Sequence, residues 1–220
     1  MKKIFTILTV VALTTTISFA QAQFGIKAGL NSSAVGSSDS DDGLAFEEGR
    51  LGMHLGGVAH IPLGDVMQLR TGLIYSQKGG SDSETNGEYT NDVTFKLDYL
   101  EIPIEAAFVM GEVFALSAGP YIAFAMNKSV AIDTDVPGVN AADIADQEEF
   151  LSELIDEYVG GMDFGLNFGA SFTIAESFLI GTKYSLGLMD ILDEEIDSGD
   201  DNEVWINGCF SISFGYVFGN

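Results

Sequence analysis

The sequence predicts an all-β protein: an eight-stranded antiparallel up-and-down transmembrane β-barrel with long acidic external loops and a short helix in the third loop. Three observations carry that prediction. Bulky apolar residues alternate with small or polar ones, with a period of two, in eight segments; this marks strands with two unlike faces. The connections are alternately short and long, as in barrels that cross a membrane with short turns on one side and long loops on the other. Of the 33 acidic residues, 26 fall in the four long connections.

Composition narrows the field before any element is placed. The chain has 220 residues, 46% hydrophobic, with a net charge of −24. It is long enough for one domain or two small ones, and too apolar for a disordered acidic chain. Such a charge excludes nucleic acid, because few cations are left to neutralise phosphates. A single cysteine, Cys209, excludes a disulfide scaffold and a cysteine-rich zinc site.

Residues 1–22 read as a signal peptide. Lys2 and Lys3 form its positive end, Ile4 to Phe19 its apolar stretch, and Ala20-Gln21-Ala22 its cleavage site. The mature barrel domain then spans 23–220, and loss of Lys2 and Lys3 takes its charge from −24 to −26. A membrane anchor is the competing reading, but the stretch is short against the ~20 apolar residues that a helical span needs.

The strands are expected at 24–32, 50–62, 67–78, 94–108, 113–126, 160–174, 178–188 and 204–218. Most suit a tilted crossing of ~9–11 residues. The last is the clearest: Ile206, Phe210, Ile212, Phe214, Tyr216 and Phe218 share one parity, and Asn207, Cys209, Ser211, Ser213 and Gly215 the other. In the fourth, the apolar parity slips from Phe95, Leu97 and Tyr99 to Leu100, Ile102 and Ile104, which predicts a β-bulge near Tyr99. Short turns are expected around Leu63–Val66, Val109–Glu112 and Ala175–Ser177. Long loops are expected at 33–48, 79–93, 127–158 and 189–203, with 5, 4, 9 and 8 acids in that order.

Crowding decides which face is inside. An eight-stranded barrel has an interior just wide enough for side chains to fill it. The polar parity carries Gly25, Gly29, Gly52, Gly56, Gly165, Gly169, Gly181, Gly187 and Gly215. Small residues belong where space is short, so the bulky apolar face points outward, toward lipid. The inward charges are then Lys27, Arg70 and Lys183 against Glu101, Glu105 and Asp163. Three of each sign predicts paired groups, because an unpaired buried charge is costly. Such a network is either a polar conduction path or a plug, and the plug is the expected role.

Four segments resemble a known family: Gly25 to Asn31, Leu73 to Gly79, Tyr99 to Ile104 and Asp163 to Ala170. They cover strands one, three, four and six in order and are similar to the porin-family (PorT-like) outer-membrane β-barrel proteins of Gram-negative bacteria. The resemblance implies an outer-membrane barrel, mostly of unassigned function. It supplies no catalytic residue to carry over.

The remaining candidates are weaker. Asp39, Asp41 and Asp42 before Gly43, and the run from Asp193 to Glu203, offer clustered oxygens. Neither fits the twelve-residue calcium loop, so loose counter-ion binding by divalent cations is expected rather than a defined metal site. Residues 141–158 read as a helix with Asn140 as N-cap. Its stripe of Ile144, Leu151, Leu154, Ile155 and Tyr158 either packs on the barrel's own mouth, the favoured reading, or docks a surface partner. His54 and His60 face inward six residues apart, with no Ser or Cys nucleophile placed beside either, and read as hydrogen-bonded lumen residues. Cys209 reads as inward and inert, and Trp205 as an inward cap. Tyr75, Tyr121, Tyr184, Tyr216 and Phe218 are candidates for the aromatic girdle.

The expected function is a non-enzymatic barrel in the lipid bilayer of the outer membrane, monomeric, without cofactor, displaying acidic loops over a plugged lumen. A narrow porin-like channel for small solutes or ions is the alternative. A barrel enzyme acting on lipid or protein, and a soluble lipocalin-like carrier, are the other classes consistent with a barrel.

Overall fold

The computed structural model describes residues 22–37, 48–87, 89–111, 113–191 and 204–218. They form β1 (Gln23–Ser37), β2 (Glu48–Pro62), β3 (Met67–Asn86), β4 (Tyr89–Met110), β5 (Phe114–Thr134), α1 (Ala141–Tyr158), β6 (Met162–Ile174), β7 (Phe178–Gly187) and β8 (Trp205–Val217). Each strand pairs antiparallel with the next, and β8 returns to pair with β1, closing the barrel. Closure leaves no free strand edge, as the expected membrane setting requires, since an unpaired backbone N–H or C=O in hydrocarbon costs several kcal/mol. Most of the expected leader, residues 1–21, lies outside the described residues, as do the oxygen-rich runs at 39–43 and 193–203.

The two faces divide as the alternation requires. Leu30, Phe168 and Phe214 are 68%, 50% and 62% exposed, while the neighbouring Asn31, Asn167 and Ser213 are 1%, 0% and 7% exposed. Most phenylalanines therefore lie on the outside, and small polar residues fill much of the middle. Gly165 shows why glycine recurs on the inner face: a Cβ there would lie 2.7 Å from the ring of Tyr121 and 2.8 Å from its hydroxyl.

Three features differ from the sequence expectation. The segment 79–93, expected as a loop, is mostly a hairpin that continues β3 and β4 up to the pairing of Asn86 with Tyr89. Its alternating Ser, Thr and Val residues suit strands, and Gly87 turns the chain with φ +71°. Likewise β5 runs eight residues past its expected end, to Thr134, and β1 reaches Ser37. The expected bulge lies on the partner of Tyr99 rather than on β4. Asp98 pairs with Asn127 and Tyr99 with Ala125, so Met126 of β5 is the extra residue. β4 itself keeps its odd residues inward from Phe95 to Ala107. What slips along it is the filling of the lumen, apolar toward the long-loop end and charged below.

The helix forms at its expected bounds, and it solves a problem made by the long β5. β6 starts pairing at Met162, opposite Phe124, so β5 has no β6 partner higher up. α1 packs along that stretch. Ser152 Oγ accepts from the Val130 N–H at 3.0 Å, and Glu148 Oε1 from the Ile132 N–H at 2.7 Å. Asn140 caps the helix start, accepting from the amides of Ala142 and Asp143. At the other end Lys128 Nζ donates to the carbonyls of Asp156 and Val159, both at 2.8 Å, which places a cation at the negative pole of the helix. Ile155 packs into the lumen core, whereas Phe150 and Tyr158 stay exposed.

Replacing Gly165 by Ala is expected to destabilise the barrel by about 1–3 kcal/mol, the usual range for overpacking a filled interior. Gly161→Ala, whose Cβ would meet no atom within 4 Å, leaves stability nearly unchanged. Urea unfolding of the two variants in lipid vesicles checks the contrast.

Candidate functional site

The lumen is filled in layers, and β4 shows their order. Toward the long-loop end its inward residues are Phe95, Leu97 and Tyr99. These join Val35, Tyr121, Ala123, Val159 and Ile191 in one buried apolar cluster, with Trp205, Ala125 and Ile155 packed against it. Val35, Leu97, Tyr99, Tyr121 and Ala123 are all 0% exposed. Among the described residues, these side chains are closed to solvent.

Beneath it lies the charged layer, centred on Lys78. Its ammonium is 3.4 Å from Asp163 Oδ2 and 3.5 Å from Glu101 Oε2, and it sits 4.3 Å from the centroid of the Tyr121 ring. Asp163 Oδ2 also accepts from the Tyr121 hydroxyl at 3.0 Å and from Asn207 Nδ2 at 3.1 Å. Glu101 Oε1 accepts from Lys183 Nζ at 2.5 Å and from Asn167 Nδ2 at 3.4 Å. Asn167 also donates to Glu105 at 3.0 Å, as does Ser117. Lys78, Glu101 and Asp163 are each at most 1% exposed, so their mutual attraction is little screened by water.

On the β1–β2–β8 side a second cluster forms around His54, which shares hydrogen bonds with Asn31 Oδ1 (2.8 Å) and Ser213 Oγ (3.0 Å). Asn31 in turn accepts from Ser211 and donates to Ser76. Both ring nitrogens of His54 are engaged by neutral groups, which gives it a structural role.

The short-turn end is open. A cavity of about 90 Å³ is lined by Lys27, His60, Arg70, Glu105, Ser171 and Lys183, among others. It is followed by a wider mouth of about 410 Å³, to which His60 and Arg70 also contribute.

The six residues expected to form the lumen network therefore separate. Glu101, Asp163 and Lys183 meet in the charged layer, and Glu105 hangs from it by hydrogen bonds. Lys27 and Arg70 are not ion-paired: among the described residues neither has a carboxylate within 4 Å, although Arg70 stands opposite Glu105 in the strand register. Arg70 Nη1 reaches across the barrel to Ser171 at 2.9 Å, which draws it away from Glu105. Lys78, which is not among the six, shares the parity of Arg70 within the third strand and stands at the centre of the network. Arg50 and Asp98, 3.5 Å apart, form a further pair that parity alone does not indicate.

Of the girdle candidates, Tyr75, Tyr184, Tyr216 and Phe218 are 37–50% exposed on the outer face. Tyr216 packs edge-on against Phe178 and Phe218. Tyr121 is not in the girdle. It shares the inward parity of Ala115 and Ala123, and its hydroxyl is spent on Asp163. Cys209 is a buried cysteine outside any disulfide, beside Ser211, and His60 lies at the open end in register with Arg70.

A family model described as an outer membrane protein beta-barrel domain matches residues 19–193. No curated protein sequence matches. Among solved structures, the chain is similar to Ail, the attachment invasion locus protein of Yersinia pestis, determined in complex with the heparin analogue sucrose octasulfate. The identity is 13%, over 90% of this chain and 99% of that one, with a TM-score of 0.44. It is also similar to Neisserial surface protein A (NspA), at 12% identity, 89% and 97% coverage and a TM-score of 0.46. The outer membrane protein OprG from Pseudomonas aeruginosa gives 13%, 90% and 97%, and a TM-score of 0.32.

Lys78→Met is expected to cost about 3–5 kcal/mol, because it strips Asp163 of its cation while leaving the carboxylate buried. Adding Asp163→Asn recovers much of that loss, so the double variant falls short of the sum of the singles. A double-mutant cycle from equilibrium unfolding in vesicles measures the coupling.

Proposed function

The chain belongs to the outer membrane protein beta-barrel family and resides in the outer membrane, and from that premise we propose that it is a non-enzymatic surface-display barrel with a plugged lumen. The observation that carries this reading is the stacking of two closed layers, the apolar cluster and the Lys78–Glu101–Asp163 network, across the long-loop half of the barrel. A conduction path would have to part both. The cations of the charged layer, Lys78 and Lys183, are both held by its carboxylates, which supports a structural role.

On this reading residues 1–22 are the export signal of a Gram-negative cell, the protein acts as a monomer, and the long-loop end faces outward. The length of β3 and β4 supports display. At 20 and 22 residues they exceed the ~9–11 needed to cross the hydrocarbon, so the hairpin projects well past it. The acidic connections would surround that projection with negative charge, suited to divalent counter-ions and to surface partners met through side chains such as Phe150 and Tyr158. The segments around Lys27, Lys78, Glu101 and Asp163 support a place among the PorT-like members of the family.

The cavity around Lys27 and Arg70 is the one observation that favours a channel, since it opens the short-turn half of the lumen. Planar-bilayer recording separates the readings. Folded protein is expected to give no steady single-channel current. A steady current that falls when Arg70 or Glu101 is neutralised establishes the channel instead. In cell fractionation the protein is expected in the detergent-extracted outer-membrane fraction, whereas release into buffer would overturn the membrane reading.

A further inference from the structure

Below the apolar layer, the lumen of the described residues holds four cations, Lys27, Arg70, Lys78 and Lys183, and three carboxylates, Glu101, Glu105 and Asp163. The excess is not spread evenly. Lys78 and Lys183 have carboxylate oxygens at 2.5–3.5 Å. Lys27 and Arg70 have none within 4 Å among the described residues, and both line the same cavity. Arg70 binds only neutral oxygens there, Ser171 Oγ at 2.9 Å and Gln68 Oε1 at 3.4 Å. Lys27 lies in register between Gly56 and Gly215, two residues with no side chain to meet it.

Two like charges that face one cavity, each without a contacting carboxylate, repel one another and attract an anion. The carboxylate of Glu105 lines the cavity too, held by Ser117 and Asn167, and offsets one of these charges; with Lys183 paired to Glu101, a positive excess remains. A guanidinium and an ammonium together suit an anion with several oxygens, since each donates more than one charge-assisted hydrogen bond. The cavity, about 90 Å³, has room for such an ion with some of its water and not for a lipid. We propose that the cavity in the short-turn half of the lumen is a binding site for one small oxyanion, such as phosphate, sulfate or a short carboxylate, held between Lys27 and Arg70. The bound charge would balance the lumen and tie β1 to β3 across the space that separates them.

The site is tested on the folded barrel in dodecyl maltoside, a detergent without phosphate, so that a lipid headgroup cannot supply the ligand. Inorganic phosphate is titrated by calorimetry, with sodium chloride at matched ionic strength as the control. Saturable binding of one phosphate per barrel is expected, with sulfate competing. Arg70→Gln and Lys27→Gln are each expected to weaken it by about tenfold or more, the loss of one charge-assisted contact. Arg70→Lys, which keeps the charge, retains part of the affinity, and Arg50→Gln, outside the cavity, retains all of it. Absence of saturable heat in the unaltered protein overturns the proposal, and that result stands even if a variant fails to fold. An equal response to chloride, or phosphate binding unchanged in both the Arg70 and the Lys27 variants, overturns it as well.

Discussion

Eight strands closed into a ring leave room inside for little more than one layer of side chains at a time. The other features of the molecule follow from that narrowness. Bulk goes to the outer face, where hydrocarbon accepts it, and the inner face is built from glycine, serine and asparagine with a few large residues fitted between them. Tyr121 has its place because Gly165 leaves one, and His54 because Gly29 does. Once the large residues are placed, the charges can reach across the lumen to groups on strands that are not their neighbours. Lys78 of β3 meets Asp163 of β6, and Lys183 of β7 meets Glu101 of β4. These contacts act as cross-braces that the backbone ladder cannot supply.

The cost of such bracing sets its position. Removing ions from water is expensive, and their attraction compensates only when geometry and hydrogen bonds are good. The network accordingly lies beneath an apolar lid, with tyrosine and asparagine donors joining Lys78 on one oxygen of Asp163. Toward the short-turn end the lumen opens and the requirement relaxes. There Lys27 and Arg70 stand without carboxylate partners, near enough to the mouth for water and small solutes to approach them.

Much of this architecture was legible from parity alone. The strand count, the outward phenylalanines, the inward glycines and the helix of the third loop all follow from period-two and period-3.6 patterns that local chemistry enforces. The charged residues were legible as inward but not as paired, because pairing depends on reach across the barrel and not on register. Arg70 and Glu105 are register neighbours that do not form an ion pair, while Lys78 and Asp163 lie 85 positions apart and do. The change of parity at Tyr99 was visible but ambiguous. A bulge and a change in lumen filling leave the same trace in one strand, and only the partner strand, with Met126 as its extra residue, distinguishes them. The long acidic connections hid the extended hairpin for a related reason: on a strand with water on both sides, hydrophobic alternation fades even though the ladder continues.

The helix laid along β5 has a consequence for how the rim can be recognised. A bare sheet margin invites any extended peptide to add itself as another strand, a mode that reads main chain and is nearly indifferent to sequence. With the amides of Val130 and Ile132 already satisfied by Ser152 and Glu148, that mode is closed along this stretch. If the long-loop end faces outward as proposed, whatever settles there has to recognise individual side chains, and selectivity along this stretch rests with a helix face that can vary while the barrel beneath it stays the same.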